Sequence, residues 1–142
     1  MPVDHNFGTI AGYYIETTGQ QLSTSLETEI GIKMEYSLDE NDTLNHLKYR
    51  IVRKEGITHY YDAQDRLHHD DGPAVITDKG YKAWWKHGRI HRDDGPAIIY
   101  GGGDEFWYNN GKLHREDGPA IIRSDGRQEW WNNGKFVRET AR

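Results

Sequence analysis

"WYNNGKLHREDGPAII" occupies Trp107–Ile122, and a nearly identical line, "WWKHGRIHRDDGPAII", occupies Trp84–Ile99, 23 residues earlier. Looser copies lie at Tyr61–Ile76 and Trp130–Arg138. A fixed period of this length indicates that each copy is one supersecondary unit, which buries its apolar surface by stacking on its neighbours. The stretch therefore predicts a repeat array, and we number the four copies units 1 to 4 in chain order.

Turn signals divide each unit into strands. The Asn-Asn-Gly sequences at Asn109–Gly111 and Asn132–Gly134 favour two-residue hairpins, because both central residues of a type I′ turn need positive φ. A further turn at Asp125-Gly126 would give the strand Gln128–Asn132 a neighbour on each side. The proline of each Asp-Gly-Pro stretch lacks a ladder donor and interrupts the meander. We therefore predict an all-β fold, an antiparallel sheet of tandem hairpins without significant helix.

These turns determine a predicted register and a first aromatic row. In this register Trp107 faces Ile98 and Trp130 faces Ile121, while in the hairpins Trp84 faces His91 and Trp107 faces His114. We interpret this row as core. The positions that we interpret as structural are Trp84, Trp107, Trp130, His91, His114, Asp94 and Asp117.

A second aromatic row lies on the other side of the predicted strands. It consists of Trp85, Tyr108 and Trp131, opposite Ile90, Leu113 and Phe136. A flat apolar stripe of this kind marks partner sites unless a second layer of the protein covers it. We predict partner binding by Trp85, Tyr108, Trp131, Leu113 and Phe136, with burial under residues 26–52 as the alternative.

The residues before the array carry strand patterns of their own. From Leu26 to Leu38 apolar and polar side chains alternate, which predicts one long half-buried strand, and Leu47 to Ile51 alternates on a return strand. Leu44–Gly56 looks like a decayed copy of the unit, as is usual for a cap. We predict an N-terminal β-rich segment, residues 1–53, and an array of about 3.5 units, residues 54–142.

The recurrent His-Arg-x-Asp sequence has a chemical and an architectural interpretation. Histidine and carboxylate together can transfer protons or hold a divalent ion. Recurrence in successive units, with Val137 at the histidine position of unit 4, favours architecture. The densest metal-like cluster, His68-His69-Asp70-Asp71, is one unit's version of the same sequence. We therefore predict no catalytic residue, no enzyme activity, no metal and no cofactor.

The architectural interpretation gives each residue type a role. The histidines would pack on the cross-strand tryptophans. The arginines would pair with nearby acids, and the aspartates would accept hydrogen bonds from turn amides. The arginines are Arg92, Arg115 and Arg138, and the aspartates are Asp71, Asp94 and Asp117.

The composition limits which kinds of partner and which cellular compartment we expect. The formal net charge is −5 and no basic cluster occurs, which disfavours a nucleic-acid partner. The absence of cysteine excludes disulfides and thiolate metal sites. No stretch resembles a signal peptide or reaches membrane length, so we expect no transmembrane segment and a cytoplasmic location, the host cytoplasm if the protein is viral.

The line Trp-x-x-Asn-Gly-x-x-His-Arg-x-Asp-Gly-Pro-Ala resembles the MORN repeat in its bacterial and viral variants, from about residue 57 to residue 142. The resemblance implies tandem β-hairpins in an elongated sheet, used for protein contacts, scaffolding or lipid association. Related repeats occur in antitoxin-like proteins and in phage genomes. Asp-Gly-Pro-Ala replaces the Gly-x-Gly of classical units, which argues against lipid binding, and residues 1–50 lie outside the resemblance.

Two classes of function follow. The first is a non-enzymatic protein–protein interaction module, such as a phage-encoded inhibitor of a host defence protein or an antitoxin-like neutraliser. The alternative is a small-ligand binder with aromatic cages between units, similar to choline-binding repeats, and a membrane-associated scaffold ranks below both. The strand "KFVRET", Lys135–Thr140, has an open edge in this prediction, so we also expect a two-fold homodimer.

Overall fold

The computed structural model describes the backbone of residues 9–10, 13–18, 21–27, 33–38 and 47–140, and the side chains of residues 49–140. No helix occurs in this part of the chain, which confirms the predicted all-β class. The strands are β1 (Thr9–Ile10), β2 (Tyr13–Thr18), β3 (Gln21–Glu27), β4 (Lys33–Leu38), β5 (Leu47–Lys54), β6 (Ile57–Tyr61), β7 (Val75–Thr77), β8 (Lys82–Ala83), β9 (Trp85–Lys86), β10 (Arg89–Ile90), β11 (Ile98–Ile99), β12 (Glu105–Phe106), β13 (Tyr108–Asn109), β14 (Lys112–Leu113), β15 (Ile121–Ile122), β16 (Gln128–Asn132) and β17 (Lys135–Glu139).

Among the described residues, thirteen strands form one antiparallel sheet, and β17 lies at one edge of it. Its order is β1-β2-β3-β4-β5-β6-β7-β8-β11-β12-β15-β16-β17. The remaining strands form two short hairpins, β9 with β10 and β13 with β14. The predicted strand Gln128–Asn132 is β16, and it pairs with β15 on one side and β17 on the other, as predicted.

Each internal unit divides its strand between the large sheet and a hairpin. In unit 3 only Trp107 separates β12 from β13: β12 pairs with β11 and β15, whereas β13 pairs with β14. Trp84 separates β8 from β9 in the same way. The strand therefore leaves the large sheet at each tryptophan and continues into a hairpin.

The Asn-Gly hairpin turns are confirmed. Asn110 and Gly111 have φ angles of 49° and 84°, and Asn133 and Gly134 have φ angles of 48° and 81°. These are the left-handed values that a type I′ turn requires at both central positions. In unit 2 the same positions hold His87 and Gly88, with φ angles of 48° and 80°.

The loops at the other end of the strands are one residue longer than predicted. In the loop 124–126 only Gly126 has positive φ, 88°, and the Arg123 N–H donates to the Arg127 carbonyl across the loop at 2.8 Å. The loops 101–103 and 78–80 close with the same bonds. This is a type I turn followed by one left-handed glycine, the usual three-residue hairpin loop.

The extra loop residue shifts the register by one, so the predicted pairs of Trp107 with Ile98 and of Trp130 with Ile121 are wrong. Ile98 pairs with Phe106, and Ile121 pairs with Glu129. The tryptophan instead lies opposite the alanine of Asp-Gly-Pro-Ala, since the Trp107 N–H donates to the Ala120 carbonyl at 2.7 Å. The hairpin pairs are as predicted: the N–H groups of His91 and His114 donate to the carbonyls of Trp84 and Trp107, both at 3.1 Å.

Small side chains form the centre of the array. The alanines at the contact between strands and Asp-Gly-Pro loops are fully buried, at 0% exposure, and they are Ala74, Ala83, Ala97 and Ala120. Ile98 and Ile121 are buried beside them. Both aromatic rows remain partly exposed, so neither row alone is the core. The thin interior explains why alanine recurs in each Asp-Gly-Pro-Ala line.

The long strand predicted from Leu26 to Leu38 is wrong. β3 and β4 are antiparallel neighbours, with Leu26 paired to Met34, so the chain reverses between Glu27 and Lys33. Residues 28–32 lie outside the described part of the chain. β5 pairs with both β4 and β6 and so joins the N-terminal strands to the array. The predicted boundary between residues 53 and 54 falls at the end of β5.

Candidate functional site

Two hydrogen bonds join the hairpin turn of each of units 2, 3 and 4 to the unit before it. Between units 2 and 3, the Gly111 N–H donates to the Ile90 carbonyl at 2.8 Å, and the Asn110 N–H donates to Nδ1 of His91 at 3.1 Å. The equivalent bonds are Gly88 to Leu67 (2.8 Å) and His87 to His68 (3.3 Å), and Gly134 to Leu113 (2.9 Å) and Asn133 to His114 (3.2 Å). The two left-handed residues of each turn thus direct their N–H groups at the neighbouring unit.

This bonding indicates which ring nitrogen carries the proton when the histidine is neutral. A ring nitrogen that accepts a hydrogen bond carries no proton, so neutral His91 has its proton on Nε2. That nitrogen lies 3.0 Å from Oδ1 of Asp93, two residues along the chain. His68 lies 3.2 Å from Asp70 in the same way. Both ring nitrogens of His91 are therefore engaged within the protein, and its side chain is only 9% exposed.

Arginine, not histidine, covers the tryptophans of the first row, which corrects the predicted packing. The guanidinium carbon of Arg92 lies 4.1 Å from the ring centroid of Trp84. The same contact recurs at 4.2 Å between Arg115 and Trp107 and at 3.5 Å between Arg138 and Trp130. Cations are attracted to the negative face of an indole, so each pair stabilises its unit.

The prediction that the aspartates accept hydrogen bonds from turn amides is also wrong for Asp94. The Arg92 Nε donates to Oδ1 of Asp94 at 2.8 Å, as predicted for the arginine. The main partner of Asp94 is thus this guanidinium rather than a turn amide. The hydrogen bond and charge of Arg92 lower the pKa of Asp94. The Arg92 and Arg115 guanidinium groups also donate to the carbonyls of Pro96 and Pro119, at 3.3 and 3.2 Å, and so hold the Asp-Gly-Pro loops against the strands.

An open cleft lies at each junction between units. The three clefts have volumes of about 530, 690 and 620 Å³. The lining of each cleft includes a pair of aromatic residues, such as Trp107 and Tyr108, and exposed carboxylates such as Asp94 and Glu116. The clefts are therefore partly aromatic grooves with an acidic edge, spaced by one unit.

The second aromatic row forms the cross-strand pairs that the sequence predicts. These pairs are Trp85 with Ile90, Tyr108 with Leu113, and Trp131 with Phe136. The Trp131 and Phe136 rings meet edge-on at 5.5 Å, and Phe136 is 53% exposed. The other members of the row are partly exposed, and burial raises the pKa of the Tyr108 hydroxyl.

The indole N–H groups of the row differ in their partners. The Trp131 N–H donates to Oε2 of Glu129 at 3.0 Å. The Trp85 N–H is buried and has no hydrogen-bond partner among the described atoms. A buried donor without an acceptor costs free energy, so Trp85 is held by its packing rather than by this group.

Sequence reasoning missed a polar cluster between β5 and unit 1. The Tyr49 side chain is buried, its hydroxyl donates to Oδ2 of Asp70 at 2.7 Å, and it accepts the Asp70 N–H at 3.0 Å. The His69 ring meets Tyr49 edge-on at 5.1 Å and stacks on Tyr60 at 4.0 Å. The alternation of Leu47, Tyr49 and Ile51 placed Tyr49 on a buried face, but the partner could not be inferred.

A second missed cluster surrounds Asp62, which is 7% exposed. Burial acts to raise the pKa of Asp62, but hydrogen bonds from His87, Arg66 and the Gln64 amide outweigh it and lower this pKa strongly. His87 also stacks on His68 with ring centroids 4.0 Å apart. Burial and then the charge of His87 lower the pKa of His68, although Asp70 and Asp62 act in the opposite direction.

Among residues 49–140, no group of three or more histidine, aspartate or glutamate side chains is arranged to hold a metal ion. The part of the chain that the structure describes contains no helix long and apolar enough to cross a membrane. His68, His69, Asp70 and Asp71 instead lie along one wall of the first cleft.

Comparison of the chain with protein-family models, curated proteins and solved structures finds no match. The resemblance to the MORN repeat therefore stays a prediction from the sequence. What the residues themselves provide is a chain of similar junctions, each with a His acceptor, an Arg–Trp pair and an acidic aromatic cleft.

Proposed function

We propose that the protein is a non-enzymatic protein-binding module that acts as an inhibitor, of the phage-encoded or antitoxin-like kind. The observation that carries the proposal is the recurrence of one partly exposed aromatic–apolar pair in successive units. Large aromatic side chains in a row are the type of residue that dominates protein interfaces. The second aromatic row is the proposed contact surface.

The state of the histidines supports a binding role over catalysis. A general base needs a ring nitrogen that is free to take a proton from a substrate. Nδ1 of His91 instead accepts a backbone N–H, and its Nε2 faces Asp93. His114 is placed in the same way, with its Nδ1 bonded to the Asn133 N–H. These groups hold the array together and leave the aromatic row as the feature that a partner would contact.

The charges beside the row indicate the kind of partner. Asp93, Asp94, Glu116 and Asp117 line the middle cleft next to Tyr108, and the side chains of the first three are about four-fifths exposed. The whole chain carries a formal net charge of −5. A partner with apolar side chains flanked by lysine or arginine would be complementary, and such charges accelerate encounter.

The small-ligand alternative is less well supported. An aromatic cage binds a quaternary ammonium group through open ring faces. The faces of Trp84, Trp107 and Trp130 already carry the chain's own guanidinium groups, at 4.1, 4.2 and 3.5 Å. A cationic ligand would have to displace these arginines or use the second row alone.

Matched variants test the proposal. The wild type, the double variant Trp85→Ala/Tyr108→Ala and the control Tyr100→Ala would each be immobilised and exposed to lysate of the cells in which the protein occurs. Tyr100 is 45% exposed and lies outside the row, so it controls for loss of an exposed tyrosine. We expect one protein to be retained by the wild type and the control and lost with the double variant, each substitution weakening binding by about 2 kcal/mol or more.

If the double variant folds and retains the same proteins as the wild type, the row is not the contact surface. Titration with choline, followed by tryptophan fluorescence, tests the alternative. Saturable binding at about one site per junction, together with no retained protein, would favour the ligand-binding function.

A further inference from the structure

β17 presents an exposed edge that carries two apolar side chains. It pairs with β16 on one side, and in the described part of the chain no strand pairs with its other side. All five of its side chains are exposed, and Phe136 and Val137 are 53% and 59% exposed. An unpaired edge with apolar side chains is a surface to which another strand can add.

The internal junctions show which way this edge faces. Phe136 pairs with Trp131 as Leu113 pairs with Tyr108. The Leu113 carbonyl accepts the Gly134 N–H of the following hairpin. By this equivalence, the Phe136 carbonyl points to the open side of β17.

The side chain of Val137 limits which kind of segment can pair with the open side of β17. It stands where His91 and His114 accept a turn N–H at internal junctions. The isopropyl group of valine accepts no hydrogen bond, so a further Asn-Gly turn placed here would lack the side-chain acceptor that internal units supply. The matched occupant is an extended strand with apolar side chains rather than another turn.

We propose that the occupant is a second copy of this chain, joined by antiparallel pairing of two β17 strands about a two-fold axis. Lys135 lies at one end of β17 and Glu139 at the other. Antiparallel order brings the basic end of each strand near the acidic end of its partner, and the apolar Phe136 and Val137 lie between these ends together with Arg138. The strand is thus complementary to itself, as a two-fold interface requires.

The backbone supports the same pairing. The Thr140 N–H donates to the Gln128 carbonyl, so Thr140 directs its backbone N–H toward β16. Because this direction alternates along an antiparallel ladder, the backbone N–H and carbonyl of Glu139 point away from β16, like the carbonyl of Phe136. The register shift between Trp130 and Trp131 makes Val137 a bulge between these two outward residues. A bulge disfavours pairing with an arbitrary flat strand, whereas a second β17 carries the same irregularity.

Sedimentation velocity from micromolar to millimolar concentration tests the proposal on the full chain. Glu139→Pro removes one outward N–H without removing a bond to β16, and Glu139→Gln controls for the charge. Val137→His introduces the residue that internal units carry and makes the patch polar. We expect a wild-type dimer whose dissociation constant rises about tenfold or more in Glu139→Pro and Val137→His, with a smaller change in Glu139→Gln.

Circular dichroism of each variant establishes that the β-fold is retained. A wild type that stays monomeric at millimolar concentration would overturn the proposal. A dimer whose dissociation constant is unchanged in the folded Val137→His variant would also overturn it, because the copies would then meet through another surface. The outcome is independent of the aromatic-row variants, so it does not decide the proposed function.

Discussion

The Asn110 N–H donates to Nδ1 of His91 at 3.1 Å, across the junction between two units. The pair is separated by 19 residues, and the same bond links Asn133 to His114 and His87 to His68. The His-Arg-x-Asp sequence is therefore partly an acceptor for the next turn. The histidine accepts this bond only because the following unit places a left-handed residue, with its N–H, against the ring.

The first prediction concerns this acceptor. His91→Leu fills a similar space but removes the acceptor of the Asn110 N–H, which then turns to solvent, so it should destabilise the fold by about 0.5–1.5 kcal/mol. His91→Asn can place its amide oxygen near the position of Nδ1 and should cost less. Chemical denaturation of both variants measures the difference. Equal losses would mean that ring packing, not the hydrogen bond, explains the histidine.

How much of this arrangement the sequence predicts depends on the range of the interaction. The turns at Asn110-Gly111 and Asn133-Gly134 are local, because the conformations that Asn and Gly tolerate determine them, and they are confirmed. The register error at Trp107 came from one extra loop residue, since "SDG" can form a two- or a three-residue loop. The histidine and the turn residue are 19 residues apart in the sequence. That they bond to each other follows from how successive units stack, which no local sequence pattern predicts.

Acidification provides the second prediction, through His68. Burial and the stacked His87 lower the pKa of His68 below its ordinary value of 6.5, while Asp70 and Asp62 oppose this change. The unfolded chain then binds the proton more tightly than the folded chain. The stability contribution is therefore complete above the ordinary pKa and is lost as the pH falls through the lowered folded value. Protonation of Nδ1 would also remove the acceptor for the His87 N–H.

The measurement is the free energy of unfolding of the wild type and of His68→Asn from about pH 7.5 to pH 5. The asparagine retains an acceptor but does not titrate. We expect stability to fall with pH in the wild type and to fall less in the variant. Other groups, including His59, whose pKa burial also lowers, contribute to both curves alike. Parallel curves would show that His68 does not titrate in this window.

The third prediction compares two glycines. Gly111 has φ of 84°, and a Cβ there would meet no atom within 4 Å, so backbone conformation alone disfavours a side chain. Gly111→Ala should destabilise the protein by about 1–2 kcal/mol. Gly102 is equally open but does not have positive φ, so Gly102→Ala should be neutral or slightly stabilising. Thermal unfolding distinguishes the two, and equal losses would contradict the left-handed turn at Gly111.

The last prediction concerns the Arg115–Trp107 pair. The guanidinium carbon of Arg115 lies 4.2 Å from the Trp107 ring centroid, and the same group donates to the Pro119 carbonyl at 3.2 Å. Replacing Trp107 by alanine, Arg115 by methionine, and both together gives a double-mutant cycle that isolates the contact between the two side chains. We expect a coupling free energy of about 0.5–1 kcal/mol, as for partly exposed cation–π pairs.

The matched control cycle pairs Arg115→Met with Tyr100→Ala. The Tyr100 ring meets Tyr81 and Phe106 and does not line the cleft that contains Arg115, so its coupling to Arg115 should be near zero. Trp107→Ala alone should cost about 3 kcal/mol, because it also removes apolar area next to the buried Ala97 and Ala120. Similar coupling in both cycles would mean that Arg115 stabilises the unit through its bond to Pro119 and its charge, and that the indole face contributes nothing specific.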